Sequence, residues 1–419
     1  MQSVKKLLIV VMILAESTVL YAQNPLSRQG GTDAQRQAAD LFEKEKYASA
    51  QHVYDEILAQ NPKDAEACYY AAVCSAKLDN DDALYRLEEF MRLYPQSARC
   101  NMARFYKGNY HYARGEYAEA LDSYKKVNSN EVDYGYRSEY DFKLGYSLFV
   151  NGYEPQAKSC FSRLLTGQSK YKNSALYYYA HIQYMDREYE LALKNFEKLQ
   201  SDRKFARIVP NYIARIYYYL GREEDLLRIA PDLLEERDAY RRDEISQMVA
   251  EVYFNRGDYR KALRYYEGVM SETSGAKSDG GDSKVCTPQD NYYQIGYCHY
   301  MLQNYDSAAV YLERKTACMD SVAQNALYTL GDTYVRLGRK NEARSMFLQA
   351  SKMDFNEKIK EDALFNYAKL SCELNMNPYN ESIRSFENYL KKYRQTTQYN
   401  LPPAKTMPVY WKENTPKLS

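Results

Sequence analysis

Residues 108–127, GNYHYARGEYAEALDSYKKV, decide how this chain of 419 residues folds. The stretch is typical of two short helices joined by a tight turn, because Arg114-Gly115 interrupts a helical pattern and Tyr117 follows to fill the turn. Gly108 precedes Ala120 by twelve residues, and two small residues at this spacing let the helices approach closely where they cross. A hairpin this short buries too little apolar surface to be stable alone. The stretch therefore predicts neighbouring hairpins on both sides.

The twelve-residue interval between small residues recurs along the chain. It separates Gly145 from Ala157, Ala180 from Ala192, Ala250 from Ala262, Gly296 from Ala308, and Gly331 from Ala343. An alanine four residues before an aromatic residue marks the second helix at Ala50/Tyr54, Ala120/Tyr124, Ala157/Phe161, Ala192/Phe196, Ala262/Tyr266 and Ala343/Phe347. Weaker copies of this pair are Ala83/Leu87, Leu226/Ala230, Ala308/Leu312 and Ser382/Phe386.

This pattern resembles the tetratricopeptide repeat, which has a period of about 34 residues and an alanine–aromatic pair in its second helix. The resemblance covers residues 37–393. It implies an all-α fold, a right-handed superhelical solenoid of about ten helix hairpins. It also implies that the first helix of each hairpin lines the concave side of the superhelix.

The N-terminus has the order of a secretory signal peptide. Lys5 and Lys6 precede an apolar run over residues 7–15, and the small residue Ala22 precedes a polar segment. We therefore expect cleavage after residue 22. Glu16 interrupts the apolar run, which disfavours a membrane-spanning helix because such a helix needs about 20 apolar residues. Since no cysteine lies near the cut, a lipid anchor is not indicated.

Charge and composition argue against a nucleic-acid partner. The first 22 residues hold two lysines and one glutamate, so the mature chain has 55 basic and 55 acidic residues. A neutral chain without a basic patch lacks the electrostatic footprint of nucleic-acid binding. No further apolar segment is long enough to cross a bilayer, so we expect no integral membrane span in the mature chain.

The chain divides into six segments by its sequence. We predict a signal peptide over residues 1–22, a flexible leader over 23–36, a first part of the solenoid over 37–270, an insertion over 271–289, a second part over 290–393 and an irregular proline-rich tail over 394–419. The insertion, rich in Gly, Ser, Asp and Lys, is typical of a mobile surface loop, either a partner-binding loop or a passive one. Pro231 predicts a distorted or shortened second helix in the sixth hairpin.

The tail leaves two explanations open. It contains the only tryptophan, Trp411, and four prolines, and no polar capping helix follows the last hairpin. Either the tail folds back over the exposed end of the last hairpin with Trp411 as a plug, or the chain is a shortened form of a longer repeat protein.

Tyrosine is the most unusual feature of the composition, with 46 copies beside 13 phenylalanines. Many of them lie at ordinary packing positions. The resemblance places a second set on the inward face of the first helices, where they would form an aromatic-lined groove that binds a protein or peptide partner. The predicted groove residues are Phe105, Asn109, Tyr112, Phe142, Tyr146, Phe149, Tyr177, His181, Tyr184, Tyr218, Phe254, Tyr293, Tyr297, Tyr300, Tyr328 and Phe365.

Two alternatives stand beside this groove. A glycan-binding protein could use the same tyrosines, and the rings could instead pack on one another in a narrow superhelix. Tetratricopeptide repeats that grip acidic C-termini use lysines and asparagines at these positions. Only Asn109 fits that mode, so it is disfavoured.

Cysteines and histidines give no sign of catalysis or metal binding. The eight cysteines form no CxxC pair, and most are expected as small core residues; Cys286 with Cys298 or Cys318 is the one pairing worth testing. The four histidines lie far apart, and no zinc spacing, phosphate loop or nucleophile elbow occurs. The sequence predicts no cofactor, no metal and no enzyme. The chain resembles exported tetratricopeptide repeat proteins of the bacterial cell envelope, and this resemblance implies an interaction scaffold in the periplasm or at the outer-membrane periphery.

Overall fold

The computed structural model describes residues 32–235, 241–273 and 291–374, together with residues 387 and 389; for 269–273 it describes the backbone alone. Every regular element in this part of the chain is helical: nineteen α-helices and two short 3-10 turns, Ser129–Glu131 and Tyr134–Tyr136. The helices are α1 (Asp33–Glu43), α2 (Tyr47–Gln60), α3 (Ala65–Lys77), α4 (Ala83–Leu93), α5 (Arg99–Ala113), α6 (Tyr117–Lys125), α7 (Arg137–Val150), α8 (Glu154–Leu165), α9 (Lys172–Met185), α10 (Tyr189–Glu197), α11 (Val209–Tyr219), α12 (Glu223–Glu235), α13 (Arg242–Asn255), α14 (Tyr259–Thr273), α15 (Tyr292–Met301), α16 (Tyr305–Lys315), α17 (Ser321–Arg336), α18 (Lys340–Ser351) and α19 (Glu357–Leu374).

Consecutive helices form a series of hairpins. Nine pairs joined by short turns run from α1/α2 to α17/α18, and α19 takes the place of the first helix of a tenth. Among the described helices, those in substantial contact are neighbours or next neighbours along the chain. This confirms the prediction of an all-α helical repeat, in which each unit packs only on those beside it.

The small residues lie where the two helices of a hairpin cross. A Cβ added to Gly108 of α5 would lie 2.5 Å from the ring of Tyr124 in α6, and one added to Gly331 of α17 would lie 2.8 Å from the ring of Phe347 in α18. Ala120, the small partner on the second helix, is fully buried. The twelve-residue interval therefore has the structural cause that the sequence predicts, close approach of two backbones.

The turn inside each hairpin has one fixed backbone conformation. In all nine described turns the second residue after the first helix has a positive φ between 56° and 81°. Five of these residues are glycines, for which the conformation carries no steric cost. The other four are Glu45, Asp79, Arg187 and Gln303. Because a left-handed residue other than glycine costs about 1–2 kcal/mol, the packing of the hairpins must hold these four in place.

The chain divides into two compact units, Met1–Val209 and Pro210–Ser419. In the first unit a continuous hydrophobic core runs from Ala38 to Tyr140. In the second unit a comparable core runs from Ala250 to Leu370. The division falls at residue 209, whereas the sequence analysis divides the solenoid at the insertion that follows residue 270.

Helix α12 corrects one prediction. Pro231 is expected to shorten or distort this helix, but the helix runs from Glu223 to Glu235 with Pro231 inside it. A proline removes one backbone hydrogen bond and crowds the carbonyl four residues earlier. Burial of Leu226 and Ala230 on the same helix accompanies the intact helix and offsets that loss. The prediction of a shortened helix is wrong, and the alternative of a distorted helix stays a prediction.

Several predicted features lie outside the described residues. These are the signal peptide (1–22), most of the leader, most of the insertion, the Ser382/Phe386 pair and the tail with Trp411. The first helix begins at Asp33, four residues before the predicted start of the solenoid, where the side chains and backbones of Thr32 and Gln35 form a reciprocal cap.

The cysteines follow the prediction for core residues in four cases. Cys298 is a free, buried thiol and Cys318 takes part in a disulfide. Of the two predicted pairings, only the one between Cys318 and Cys286 is compatible with this, and Cys286 lies outside the described residues. The buried free cysteines are Cys74, Cys100, Cys160 and Cys298.

Candidate partner-binding site on the first helices

Seven of the sixteen predicted groove residues belong to the core. Tyr177, for example, is stacked on Phe205 with ring centroids 5.0 Å apart, and Phe105 is packed against Tyr124. These side chains point between the helices, so they offer a partner almost no surface. The seven are Phe105, Phe142, Tyr146, Tyr177, Phe254, Tyr293 and Tyr297.

The other nine are half-buried and keep part of their surface open to solvent. The predicted groove therefore reduces to this set. They are Asn109, Tyr112, Phe149, His181, Tyr184, Tyr218, Tyr300, Tyr328 and Phe365.

In the first unit, half-buried rings connect one repeat to the next. Tyr112 of α5 meets Tyr146 of α7 edge-on at 5.7 Å, and Phe149 of α7 meets His181 of α9 at 5.5 Å. Edge-to-face aromatic pairs of this kind add about 0.5–1.5 kcal/mol beyond the area that they bury. The first helices thus present an aromatic face that is rigid because its rings hold one another.

Lys77, at the end of α3, is an exposed residue of this face whose ammonium group lies near three tyrosine rings. Its ammonium group stands 5.6–5.8 Å from the ring centroids of Tyr47, Tyr106 and Tyr136, within the range of cation–π attraction. Burial among these rings lowers the pKa of Lys77, against the attraction of Glu139. The residue nevertheless keeps exposed surface. Protein atoms surround the charge while solvent still reaches it, and we call this arrangement the Lys77 recess.

A polar network lies between α5 and α7. Lys143 donates to Glu139 at 2.6 Å and to the amide oxygen of Asn109 at 3.2 Å, and Tyr124 donates to the same oxygen at 2.7 Å. Burial alone would raise the pKa of Glu139, but the ammonium groups of Lys143 and Lys77 together outweigh it and hold that pKa below its usual range. With two lysines around one carboxylate, the local charge is positive.

Lys77 and Lys143 are functional candidates that the sequence analysis misses. It considers aromatic positions and finds only Asn109 suited to anion binding. Lys77 lies six residues after the small residue Ala71 and Lys143 lies two before Gly145. Because these offsets differ, the spacing from the small residue does not single out the two lysines.

In the second unit, half-buried tyrosines on the first helices donate hydrogen bonds to carboxylates. Tyr218 of α11 donates to Glu251 of α13. Tyr300 of α15 donates to Asp332 of α17 at 2.5 Å, and Arg336 pairs with the same carboxylate at 2.7 Å. In both cases a tyrosine on one first helix reaches a carboxylate on the next, so these bonds fix neighbouring hairpins to each other.

Two further findings concern the described residues as a whole. Within them, no group of three or more histidine, cysteine, aspartate or glutamate side chains is placed to hold a metal ion. None of the described helices has the length and apolar character needed to cross a membrane.

Helix hairpins of this spacing, with the candidate site on their first helices, define a helical-repeat protein. The sequence model of the tetratricopeptide repeat family matches residues 36–83 and 75–128, and a second model of that repeat matches residues 290–314. The chain therefore contains tetratricopeptide repeats in these segments. No curated protein matches the chain in sequence.

Some solved structures show weak similarity to the chain, and one of them is a tetratricopeptide repeat protein. One from Parabacteroides merdae is 17% identical with a TM-score of 0.38, over 64% of this chain and 98% of that chain. Yeast Tom70 is 13% identical with a TM-score of 0.32, over 87% of this chain and 98% of that chain. These scores are too low to support an argument about this protein.

Proposed function

We propose that this protein is a non-enzymatic interaction scaffold of the bacterial cell envelope, which binds a protein partner along the first helices of its repeats. Tetratricopeptide repeats bind protein partners, and the chain contains them. The envelope location rests on the signal-like order of residues 1–22.

The observation that carries the proposal is the Lys77 recess. A lysine that is surrounded by three tyrosine rings and still open to solvent has lost part of its hydration without gaining a close anionic partner there. A partner segment that supplies a carboxylate or backbone carbonyl to this lysine would replace the lost hydration of the ammonium group. It would also bury the edges of the surrounding rings. Aromatic and charged side chains in such settings are typical binding hot spots.

Site-specific photo-crosslinking tests this proposal. We place a benzoylphenylalanine at Lys170, an exposed residue whose charge acts on both Lys77 and Glu139, and a second at Tyr85, which is 69% exposed on the second helix α4. In intact cells we expect a discrete protein adduct from position 170, absent from position 85, and weakened by Lys77→Gln. Equal adducts at both positions, or no effect of Lys77→Gln, would refute this use of the face.

Two further measurements test the class of ligand and the cellular location. Glycans are the alternative ligand, although no described residue favours them. Glycan-array binding that disappears with Lys77→Gln, without any protein adduct, would show that the ligand is a glycan and not a protein.

N-terminal sequencing of the protein from fractionated cells should give Gln23 as the first residue, whereas an intact Met1 in the cytosolic fraction would contradict the envelope location.

A further inference from the structure

The second unit contains a cluster of polar side chains around a carboxylate that has no cationic partner among the described residues. We define the Glu251 pocket by Glu251 and Gln247 of α13, Tyr218 of α11 and Tyr266 of α14. Its carboxylate accepts hydrogen bonds from two neutral donors, the hydroxyl of Tyr218 and the amide of Gln247 at 3.4 Å. Among the described residues, no lysine or arginine forms an ion pair with Glu251.

Comparison with the first unit shows what the pocket lacks. Glu251 follows the small residue Ala250, as Asn109 follows Gly108, and Tyr266 is placed on α14 as Tyr124 is on α6. In the first unit these positions are satisfied, because Tyr124 donates to Asn109 and Lys143 donates to the same amide oxygen. In the second unit a carboxylate replaces the amide, and no cation corresponding to Lys143 accompanies it.

The hydroxyl of Tyr266 is a second, independent observation that indicates a missing ligand. Its side chain is fully buried, and its hydroxyl has no hydrogen-bond partner. Burial raises the pKa of Tyr266, and the charge of Glu251, the residue after Ala250 at this helix crossing, raises it further. A buried polar group without a partner is unfavourable, and an entering donor would supply the missing hydrogen bond.

The free carboxylate is also in an unfavourable environment. Burial raises the pKa of Glu251, and the hydrogen bonds from Tyr218 and Gln247 offset only part of this effect. Glu139 in the first unit shows the opposite result, a lowered pKa, because Lys143 and Lys77 stand beside it. The difference between the two carboxylates is the missing positive charge.

We propose that the Glu251 pocket receives the cationic side chain of a lysine or arginine from a bound partner segment. An ammonium or guanidinium group would pair with the Glu251 carboxylate and donate to the oxygen of Tyr266. Phe254, whose ring centroid lies 6.5 Å from that of Tyr266, would border the aliphatic part of the incoming side chain. This inference rests on the proposed function and gives the partner a chemical feature, a basic residue that meets the second unit.

Peptide binding to the full-length mature protein tests the pocket. The probes are arrayed 12-residue peptides of matched hydrophobicity that carry lysine, arginine, glutamine or glutamate at one central position. We expect lysine or arginine peptides to bind the wild type at least tenfold more tightly than their glutamine counterparts. Glu251→Gln should reduce this preference to within twofold, whereas the control variant Glu190→Gln, at an exposed carboxylate on the second helix α10, should retain it. The lysine and arginine arms show which cation fits better.

Folding controls accompany the variants. Because the Glu251 charge is unbalanced in the free protein, Glu251→Gln should keep or raise the melting temperature, and Tyr266→Phe should keep it near the wild-type value. A large drop for Glu251→Gln would show a structural carboxylate and overturn the inference. A preference for cationic peptides that survives Glu251→Gln, or a preference for glutamate peptides, would also overturn it.

Two other outcomes are distinguishable from these. If the protein binds no peptide of any charge and gives no crosslink at Lys170, the proposed function itself fails.

The chain could also fill the pocket with its own lysines. If wild type shows no cation preference but the double variant Lys277→Gln/Lys284→Gln acquires one, then the chain occupies the pocket itself and the inference about a partner is wrong.

Discussion

Gly108→Ala should destabilise the first unit although alanine is the better helix former. The added Cβ would lie 2.5, 2.6 and 2.9 Å from three ring atoms of Tyr124, so the ring must retreat by roughly 1 Å to reach ordinary contact. Tyr124 is fully buried and its hydroxyl is bonded to Asn109 at 2.7 Å, so a retreat breaks that bond. Overpacking costs about 1–3 kcal/mol and the lost hydrogen bond about 0.5–1.5 kcal/mol, against a gain of about 0.5–1 kcal/mol from replacing a helical glycine. The net loss is about 0.5–4 kcal/mol.

Denaturant unfolding followed by circular dichroism measures this loss. Gly268→Ala on α14 is the matched control, because a Cβ there meets nothing within 4 Å. It should stabilise the protein by about 0.5–1 kcal/mol. In a Tyr124→Ala background the side chain that meets the added Cβ is gone, so adding Gly108→Ala should stabilise as well. Leucine would not serve, because Leu312 at the equivalent crossing lies 2.7 Å from a Cβ added to Gly296. If Gly108→Ala and Gly268→Ala shift stability in the same direction, the close crossing at Gly108 does not explain the twelve-residue interval.

Three further predictions follow from packing, turn geometry and burial. Ala192→Leu should cost about 1–3 kcal/mol by overpacking a fully buried crossing, whereas His52→Ala, at a side chain 76% exposed, should change the melting temperature little; equal shifts would contradict the assigned register. Arg187→Gly should stabilise by about 0.5–1 kcal/mol because it removes a left-handed residue with φ of 63°, and no gain in denaturant unfolding would refute this. Burial raises the pKa of Asp362 to about 6. Since the folded state then binds the proton more tightly than the unfolded state, stability should be highest below about pH 4 and fall towards pH 6 on this account; Asp362→Asn should remove that slope, and an unchanged slope would exclude this carboxyl as its cause.

The sequence is sufficient to predict the hairpins because their determinants are local. Gly108, Ala120 and Tyr124 fix one crossing within seventeen residues, and the same spacing repeats. The register of the turns follows with it, although four of nine positions lack the glycine that the conformation favours. Pro231 misleads because a single lost hydrogen bond weighs less than burial of the helix face, and that burial depends on neighbours which a local pattern does not reveal.

The candidate site could be predicted only in outline. Helical spacing places sixteen residues on the first helices, but it does not separate Tyr177, buried against Phe205, from Tyr184 seven residues on, which stays half-buried. That distinction depends on where the next hairpin lies. The charged groups were missed for a related reason: Lys77 becomes notable only when Tyr47, Tyr106 and Tyr136, up to 59 residues away, surround it.

Because helix contacts are restricted to near neighbours, the chain can fold hairpin by hairpin while the ribosome synthesises it. Each hairpin finds its packing partner once about 34 more residues have been synthesised, so no segment waits for a distant one. At any moment of synthesis the growing chain exposes the unfinished face of one hairpin, and this exposed apolar surface stays constant as the protein lengthens. Longer arrays of such hairpins would therefore carry no greater risk of aggregation during synthesis than short ones.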